Sequence, residues 1–309
     1  FQLSILIIIA SHSITSFSQT KVNVSFYPKE DAPKISKHIY GHFAEHLGRC
    51  IYGGFYVGED SEIPNLDGVR KDIIEALREM KIPNLRWPGG CFADTYHWKD
   101  GIGEKSNRPT IVNQWWGGVT EDNSFGTHDF LNLCEALDTE PYISGNMGSG
   151  TVREFADWIQ YVNHDGVSPM ADLRRENGRE QPWDVRFWGL GNEAWGCGGH
   201  MTASYYSNLY RQYATYMTDW SNSSDLYRIA SGASDGNYNW TEVLMKNIPK
   251  NLIEAVALHS YSVIDWGNKG SATDFSDVQY FQTMQRAYKM KEYITKHTEI
   301  MDKYDPEKT

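Results

Sequence analysis

From residue 35 onward, short apolar runs alternate with polar loops and amphipathic helical patterns, and this alternation limits the possible folds more than any other feature. Six runs are predicted strands, at residues 38–43, 82–87, 141–146, 185–192, 228–232 and 255–261. Strands separated by helices imply a parallel sheet with right-handed crossovers. A doubly wound sheet and an incomplete (β/α)8 barrel both satisfy this pattern.

The helical patterns between the runs have apolar faces and capping signals. Apolar residues at helical spacing mark the first helix: Val69, Ile73, Leu77 and Met80. Thr127 is a candidate N-cap, and Thr151 with Glu154 has the T-x-x-E pattern of a capping box. Further helices are predicted over residues 203–220 and 240–247 and from residue 278 towards residue 304.

The distribution of polar residues favours the barrel. No G-x-G-x-x-G follows the first predicted strand and the sequence contains no Walker A motif, which argues against nucleotide-binding folds. Polar and aromatic residues instead crowd the C-terminal ends of the predicted strands, which meet at the active-site face of a barrel. The sequence therefore predicts an α/β fold, a (β/α)8 TIM barrel of which about six β/α units occupy residues 35–309.

The first 34 residues follow a different pattern. An apolar run at residues 3–10 and small residues up to Gln19 predict a partial secretory signal peptide at residues 1–18. A buried strand or a membrane anchor is the alternative, although a bilayer span requires ~20 apolar residues. Residues 19–34 are expected to contain a half-buried strand, because Val22, Val24 and Phe26 alternate. The expected location is secreted or periplasmic.

Composition limits the partners. The chain has 29 Lys and Arg against 40 Asp and Glu, and a net charge of -11 argues against nucleic acid. A mean hydropathy of -0.56 excludes a polytopic membrane protein. The aromatic content of 14% suits stacking on sugars, although aromatic rings also fill cores. Four cysteines are few and widely spaced for a disulfide framework, and their pairing cannot be read from sequence. We expect no metal and no cofactor.

Glu193 is the strongest catalytic candidate, because it follows an apolar strand and lies among glycines and tryptophans. A carboxyl group in partly apolar surroundings has the raised pKa that a general acid requires. A structural carboxylate is the alternative. Asn192 is a candidate either to bind a sugar hydroxyl or to hydrogen-bond backbone groups at the strand end. Glu45 is a candidate either to bind sugar hydroxyls or to form an ion pair with Arg49.

Other polar and aromatic residues lie near the same strand ends. His259 and Tyr261 alternate along the sixth predicted strand and so point the same way, either to the barrel mouth or into the core. Trp116 lies in a long loop, residues 99–126, where aromatic residues serve either ligand binding or a small local core. Arg86 is expected to neutralise buried carboxylates rather than to contact substrate.

Taken together, the strand-end motifs resemble the α-L-arabinofuranosidases of glycoside hydrolase family 51. The matching segments are IYGHFAEHLGRCIYGGFYVG, LRWPGGCFADTYHWKDGIG, NSFGTHDFLNLCEAL, FWGLGNEAWGCGG and ALHSYS. Many clan A barrels carry GNE, so the combination of GHFAEHLGR with RWPGGCF carries the resemblance.

The resemblance implies a role for each matching residue. Glu193 matches the general acid/base, and Asn192 matches the residue that contacts the arabinose 2-hydroxyl. Cys91 matches a position that lines the arabinose subsite, where we expect a thiol that a bound sugar would shield. The remaining matches bind the sugar or flank the nucleophile: Glu45, Trp116, His259 and Tyr261.

The sequence departs from the family at the nucleophile, which is a Glu at the end of the seventh strand. A retaining mechanism needs two carboxylates about 5 Å apart. The acids after Tyr261 lie in a loop or around a helical pattern, and none ends an apolar strand. We therefore expect the nucleophile beyond residue 309 and the family's C-terminal β-sandwich to be absent. The chain alone is expected to be poorly soluble and inactive.

The expected function of the complete protein is that of an exo-acting retaining α-L-arabinofuranosidase. It would remove terminal arabinofuranosyl residues from arabinan, arabinoxylan or related oligosaccharides, without contacting nucleic acid or membrane. A homo-oligomer is compatible with the sequence. The alternatives are another clan A glycosidase, such as an endoglucanase or a xylosidase, and a non-catalytic sugar-binding barrel.

Overall fold

The computed structural model describes residues 23–27, 32, 34–221 and 225–307, and the chain divides into two compact units, Phe1–Ser36 and Lys37–Thr309. In the first unit, residues 23–27 form no strand, and Val24 and Phe26 are exposed. The predicted half-buried strand is therefore wrong for the residues described. Alternation buries one face only where a neighbouring strand supplies hydrogen bonds and a surface to pack against. The predicted signal peptide at residues 1–18 lies outside the described residues.

A six-stranded parallel sheet forms the centre of the second unit. Its strands are β1 (His42–Phe43), β2 (Asn84–Trp87), β3 (Glu140–Gly145), β4 (Phe187–Leu190), β5 (Tyr227–Ser234) and β6 (Ala255–His259). Each strand pairs with the next one along the chain, in the order β1 to β6. Strands that pair in chain order form the wall of a barrel, whereas the strand order of a doubly wound sheet reverses at a switch point.

The six strands occur where the apolar runs predict them, and most are shorter than the runs. The first differs most, since Lys37–Tyr40 forms a 3-10 turn and only His42–Phe43 pairs with β2. The sixth ends at His259, so Tyr261 does not lie on the strand as predicted.

Helices follow the strands, as the βα rhythm requires. The described residues contain α1 (Lys71–Met80), α2 (Thr127–Leu137), α3 (Val152–Asn163), α4 (Pro169–Glu176), α5 (Ala203–Tyr216), α6 (Tyr238–Asn247), α7 (Asp277–Tyr288) and α8 (Met290–Tyr304). No helix among the described residues is long and apolar enough to cross a bilayer.

The capping signals are partly confirmed. The Thr151 hydroxyl accepts a hydrogen bond from the Glu154 N–H at 3.1 Å, as predicted. Thr127 is instead the first residue of α2, and the Asp129 carboxylate accepts from the Gly126 N–H at 2.9 Å. The long final helix is two helices that meet at Lys289.

Two short antiparallel hairpins lie in the loops after β1 and β2. The first pairs Asn65–Leu66 with Val69–Arg70, and the second pairs Ile111–Asn113 with Val119–Glu121. The second hairpin carries Trp116 in its connecting turn. The predicted long loop at residues 99–126 is therefore ordered by backbone pairing.

The core is strongly aromatic. Trp87 on β2, Trp188 on β4 and Trp158 on α3 are buried, and Trp158 stacks on Trp98 with ring centroids 5.9 Å apart. Trp87 stacks on Phe130 at 5.1 Å. Much of the aromatic content therefore fills the core instead of contacting a ligand.

We expect Trp158→Ala to lower the free energy of unfolding by about 3–5 kcal/mol, because it leaves a large cavity between stacked rings. Urea denaturation followed by circular dichroism measures this loss. Tyr205→Ala is the control, since Tyr205 is exposed on α5 and its removal should change stability by no more than about 0.5 kcal/mol. Equal stability of the two variants would contradict the assigned core.

Candidate active site

Parallel pairing brings the predicted site residues to one face of the sheet. Glu45 follows β1 by two residues, Glu193 follows β4 by three, and His259 ends β6. The His259 Nδ1 atom lies 2.7 Å from Glu193 Oε1. The indole N–H of Trp116 donates to Glu45 Oε1 at 3.0 Å. Side chains more than 60 residues apart in sequence therefore form direct pairs.

Glu193 lies in a tight turn after β4. Gly191 has φ 74° and Glu193 itself has φ 42°, which is the left-handed region that non-glycine residues seldom occupy. The Glu193 side chain is 15% exposed, and that of His259 is 22% exposed. The carboxyl group is thus enclosed but reachable from solvent, as a group that exchanges protons with a ligand must be.

Asn192, next to Glu193, is held in one orientation. Its side-chain oxygen accepts a hydrogen bond from Arg86 Nη2 at 2.8 Å, and Arg86 also donates to the Ser144 hydroxyl at 3.2 Å. Because the oxygen is occupied by a cationic donor, the amide NH2 group is left to donate elsewhere. These two hydrogen-bond partners are an amide and a hydroxyl, while the charge of Arg86 also lowers the pKa of the buried Asp94 carboxyl. That Arg86 neutralises buried carboxylates therefore stays a prediction.

Glu45 is buried and its carboxylate is fixed by three donors. Oε1 accepts from the backbone N–H of Gly90 at 3.0 Å and of Phe92 at 3.2 Å, in addition to the Trp116 indole. Oε2 accepts no hydrogen bond from the described residues. The alternative ion pair with Arg49 is not formed, because Arg49 donates to the Gly53 carbonyl instead. Glu45 therefore keeps one oxygen for another donor.

Asn113 locks the hairpin that carries Trp116. Its amide NH2 donates to the His46 carbonyl at 2.7 Å and to Glu121 at 2.9 Å, while its oxygen accepts from the Trp116 N–H at 3.0 Å. The hairpin is thereby anchored to the segment after β1, and Trp116 forms a fixed wall beside Glu45.

Tyr261 is the least enclosed of the predicted residues. It is 60% exposed and contacts Trp266, with ring centroids 5.0 Å apart. Partial burial and the nearby Glu193 raise the pKa of its phenol. Tyr261 thus lies near Glu193 without a hydrogen bond to it among the described residues.

Cys91 and Cys197 form a disulfide between the loops after β2 and β4, with Cα atoms 5.5 Å apart. The expected free thiol at Cys91 is therefore wrong, whereas its place in a sugar subsite stays a prediction. Cys197 Sγ lies 3.7 Å from Glu193 Oε2 and carries no proton, so the contact is a packing one. Cys50 and Cys134 are unpaired.

Cys91, Glu193 and Cys197 also place their potential ligand atoms within 4.8 Å of one another. Metal ions bind cysteine as the thiolate, and a disulfide has none. This group is therefore not a metal site while the disulfide is intact, and the expected absence of a metal stays a prediction.

The acids after Tyr261 do not join this site. Asp265 accepts from the N–H groups of its own turn, and Glu292 pairs with Lys296 on α8. Among the described residues, none of them contacts Glu193.

Comparison of the structure with known ones defines the class of protein. It is similar to the GH51 arabinofuranosidase from Xanthomonas axonopodis pv. citri, with a TM-score of 0.85 and 46% identity over 88% of this chain and 55% of that one. It is also similar to the α-L-arabinofuranosidase from Thermotoga maritima in its arabinose complex, with a TM-score of 0.77 and 39% identity over 88% and 52%. The fold is that of a (β/α)8 glycoside hydrolase, which confirms the predicted partial barrel.

Sequence comparison then gives the family. The model of the "Alpha-L-arabinofuranosidase 1 domain" matches residues 76–277. The chain is 52% identical over 297 residues to the intracellular exo-α-L-arabinofuranosidase of Bacteroides ovatus, covering 96% of this chain and 57% of that protein. This chain belongs to the glycoside hydrolase family 51 α-L-arabinofuranosidases, and it spans about half the length of these relatives.

The same comparison corrects the expected location. The Bacteroides ovatus relative is named an intracellular enzyme, which contradicts the prediction of a secreted or periplasmic protein. An apolar run with small residues after it is a compositional signal, and it does not by itself establish export.

Sequence reasoning missed two parts of the site. One is the pairing of Cys91 with Cys197, which depends on the distance between two loops 106 residues apart. The other is Asp94, a buried acid in the segment after β2. The only sequence signal for it is an acidic residue within the otherwise apolar run CFADTY.

We expect the double variant Cys91→Ser with Cys197→Ser to lose roughly 2–5 kcal/mol of unfolding free energy, because the bond closes a loop of about a hundred residues. Denaturant unfolding measures the loss. Cys50→Ser, at an exposed unpaired cysteine, is the matched control and should leave stability unchanged. Labelling of four thiols in the native, unreduced protein would refute the disulfide.

Proposed function

We propose that the full-length protein is an exo-acting retaining α-L-arabinofuranosidase and that Glu193 is its general acid/base. The observation that carries this proposal is the enclosed Glu193 carboxyl at the end of β4, hydrogen-bonded to His259 and adjacent to Asn192. Family membership supports the arabinofuranoside class of substrate, and the Thermotoga maritima relative is described in complex with arabinose.

In the first step, Glu193 protonates the oxygen of the leaving group while a carboxylate nucleophile attacks the anomeric carbon. In the second step, Glu193 acts as base and activates the water that releases the sugar. A retaining enzyme holds the nucleophile about 5 Å from the acid. We propose that this nucleophile is a glutamate that the described residues do not include.

His259 prepares Glu193 for this double role. A hydrogen bond between His259 Nδ1 and Glu193 Oε1 engages that oxygen and leaves Oε2 to hold the proton that is transferred. Oε2 lies on the side of Cys197, whose disulfide sulfur offers no competing proton. The transferable proton is thus directed to one oxygen.

Asn192 and Glu45 supply complementary contacts to a sugar. The Asn192 amide donates, because Arg86 occupies its oxygen, and this suits the arabinose 2-hydroxyl. Glu45 accepts through Oε2, which suits hydroxyl donors on the same ring. A hydrogen bond to the 2-hydroxyl strengthens in the transition state of glycoside hydrolysis.

The walls of the site favour a terminal sugar. Trp116 is fixed against Glu45 on one side, and the Cys91–Cys197 disulfide lies beside Glu193 on another. We propose that Cys91 and Tyr261 also line this subsite. The substrates are arabinan, arabinoxylan or related oligosaccharides with terminal arabinofuranosyl residues, and a homo-oligomer stays a prediction.

In the full-length protein, Glu193→Ala should remove protonation of the leaving group. Natural arabinosides should lose activity by about 10²–10⁴-fold, whereas aryl substrates with good leaving groups should keep fast glycosylation and slow deglycosylation. Azide should restore turnover, because it attacks the glycosyl intermediate without a base. Steady-state and burst kinetics measure both effects.

Glu79→Ala is the control, since Glu79 is exposed on α1, remote from β4 in the sequence. An unchanged rate of Glu193→Ala on natural arabinosides would refute the acid/base role. A full-length protein that binds arabinose without hydrolysing any arabinoside would support the non-catalytic sugar-binding barrel instead.

Residues 19–309 expressed alone are predicted not to hydrolyse an aryl α-L-arabinofuranoside above background. Glu193 protonates a leaving group but does not trap the oxocarbenium-like centre, which requires the second carboxylate. A fluorogenic arabinofuranoside assay measures residual activity. Ordinary glycosidase turnover would show that an acid within these residues is the nucleophile.

A further inference from the structure

Asp94 is a buried carboxylate that no step of the proposed mechanism uses. It lies in the 3-10 turn Cys91–Thr95, which follows β2. Oδ1 accepts from the backbone N–H groups of Met147 at 2.8 Å and Gly148 at 2.9 Å. Oδ2 accepts from the backbone N–H of Asn192 at 2.7 Å. A single side chain thus satisfies three backbone donors.

These donors belong to two different strand ends. Met147 and Gly148 follow β3, and Asn192 follows β4. The Asp94 carbonyl also accepts from the N–H of Ser149 at 3.1 Å and from its hydroxyl at 2.9 Å. Asp94 therefore ties together the loops after β2, β3 and β4, and the β4 loop holds the proposed acid/base.

The hydrogen bond from the Asn192 N–H to Asp94 fixes the backbone that sets the direction of the Glu193 side chain. The Asn192 N–H belongs to the peptide between Gly191 and Asn192, and the following residue, Glu193, has φ 42°. A non-glycine residue keeps a left-handed conformation only where surrounding contacts impose it. Asp94 supplies such a contact one residue before Glu193.

The chemistry of the pocket around Asp94 requires a carboxylate. Three N–H groups point at its two oxygens, and an amide in the same place would turn an NH2 group towards at least one of them. The space is also closed, because a Cβ atom at Gly198 would lie 2.8 Å from Oδ2. Burial raises the pKa of Asp94 to about 7, although the three N–H donors lower it.

We propose that Asp94 is a positioning residue for general acid catalysis, which sets the direction of the Glu193 carboxyl by holding the Asn192 N–H and the loop after β3. This inference rests on the proposed function of Glu193. A positioning role differs from a purely structural role in one expectation. Loss of Asp94 should weaken protonation of the leaving group more than it weakens sugar binding.

The test uses the full-length protein and Asp94→Asn, which keeps the side-chain volume. Rates are measured on arabinofuranosides whose leaving groups range from dinitrophenol to simple alcohols. For alcohol leaving groups we expect kcat to fall about 10²-fold with little change in KM, as a small misplacement of a catalytic group produces. The loss of kcat/KM, which reports the glycosylation step, should shrink towards dinitrophenol, because this leaving group needs little protonation. On dinitrophenyl substrates kcat should stay lowered, because Glu193 is also the base of deglycosylation.

Asp100→Asn is the matched control, because it removes another carboxyl from the same loop and should leave the whole series unchanged. Ser149→Ala is a milder variant that removes the hydroxyl bond to the Asp94 carbonyl and the bond that this hydroxyl accepts from the Asn146 amide. Ser149→Ala should show a smaller loss of activity with the same dependence on the leaving group. If Asp94→Asn does not fold, this variant is used to test the proposal. An equal loss of kcat/KM for all leaving groups, or no loss of kcat/KM, would overturn the proposal.

Amide hydrogen exchange separates this inference from the proposed function. In Asp94→Asn, or in Ser149→Ala to a smaller degree, exchange should accelerate at residues 146–149 and 191–194 while α1 keeps its protection. If the wild-type protein hydrolyses no arabinofuranoside, the proposed function is wrong. Faster exchange at these residues in the variants would even then show that Asp94 anchors the turn. Unchanged exchange at both segments would reject Asp94 whatever the activity.

Discussion

Parallel pairing of the six strands in chain order is the interaction on which the rest of the structure depends. It places every strand's carboxyl end at one face, so Glu45, Glu193 and His259 lie on the same side of the sheet although more than 200 residues separate the first from the last. Backbone hydrogen bonds between the strands set this arrangement, and the helices and the aromatic core stabilise it by packing against the sheet. The site therefore follows from the topology, and the side chains at the strand ends supply its chemistry.

Buried polar groups then hold the strand-end loops in place. Asp94 accepts three backbone N–H bonds, Glu45 accepts two backbone bonds and one from the Trp116 indole, and Arg86 fixes the Asn192 amide. Each of these groups forms hydrogen bonds to another segment of the chain, and a buried network of this kind specifies one arrangement. The left-handed backbone of Glu193 persists because such contacts surround it.

The expectations that failed have a common physical cause. Alternation at Val24 and Phe26 predicted a strand, but the described residues there pair with nothing and are exposed. The free thiol at Cys91 was inferred from its match to a single family position, whereas the disulfide depends on the distance between two loops. The predicted export was inferred from a short apolar run, and the Bacteroides ovatus relative is named intracellular. In each case a local pattern was used to infer something that depends on distant parts of the protein or on its surroundings.

The sequence by itself determined the alternation of strands and helices, the positions of the six strands, and the carboxyl and amide groups at their ends. These features depend on local periodicity and on which residues follow each apolar run, and both can be read along the chain. Only the tertiary structure decided that His259 pairs with Glu193, that Cys91 joins Cys197, and that Asp94 holds the Asn192 turn. Those contacts link residues 66 to 106 positions apart, and their formation depends on sheet register and loop conformation, which no local pattern encodes.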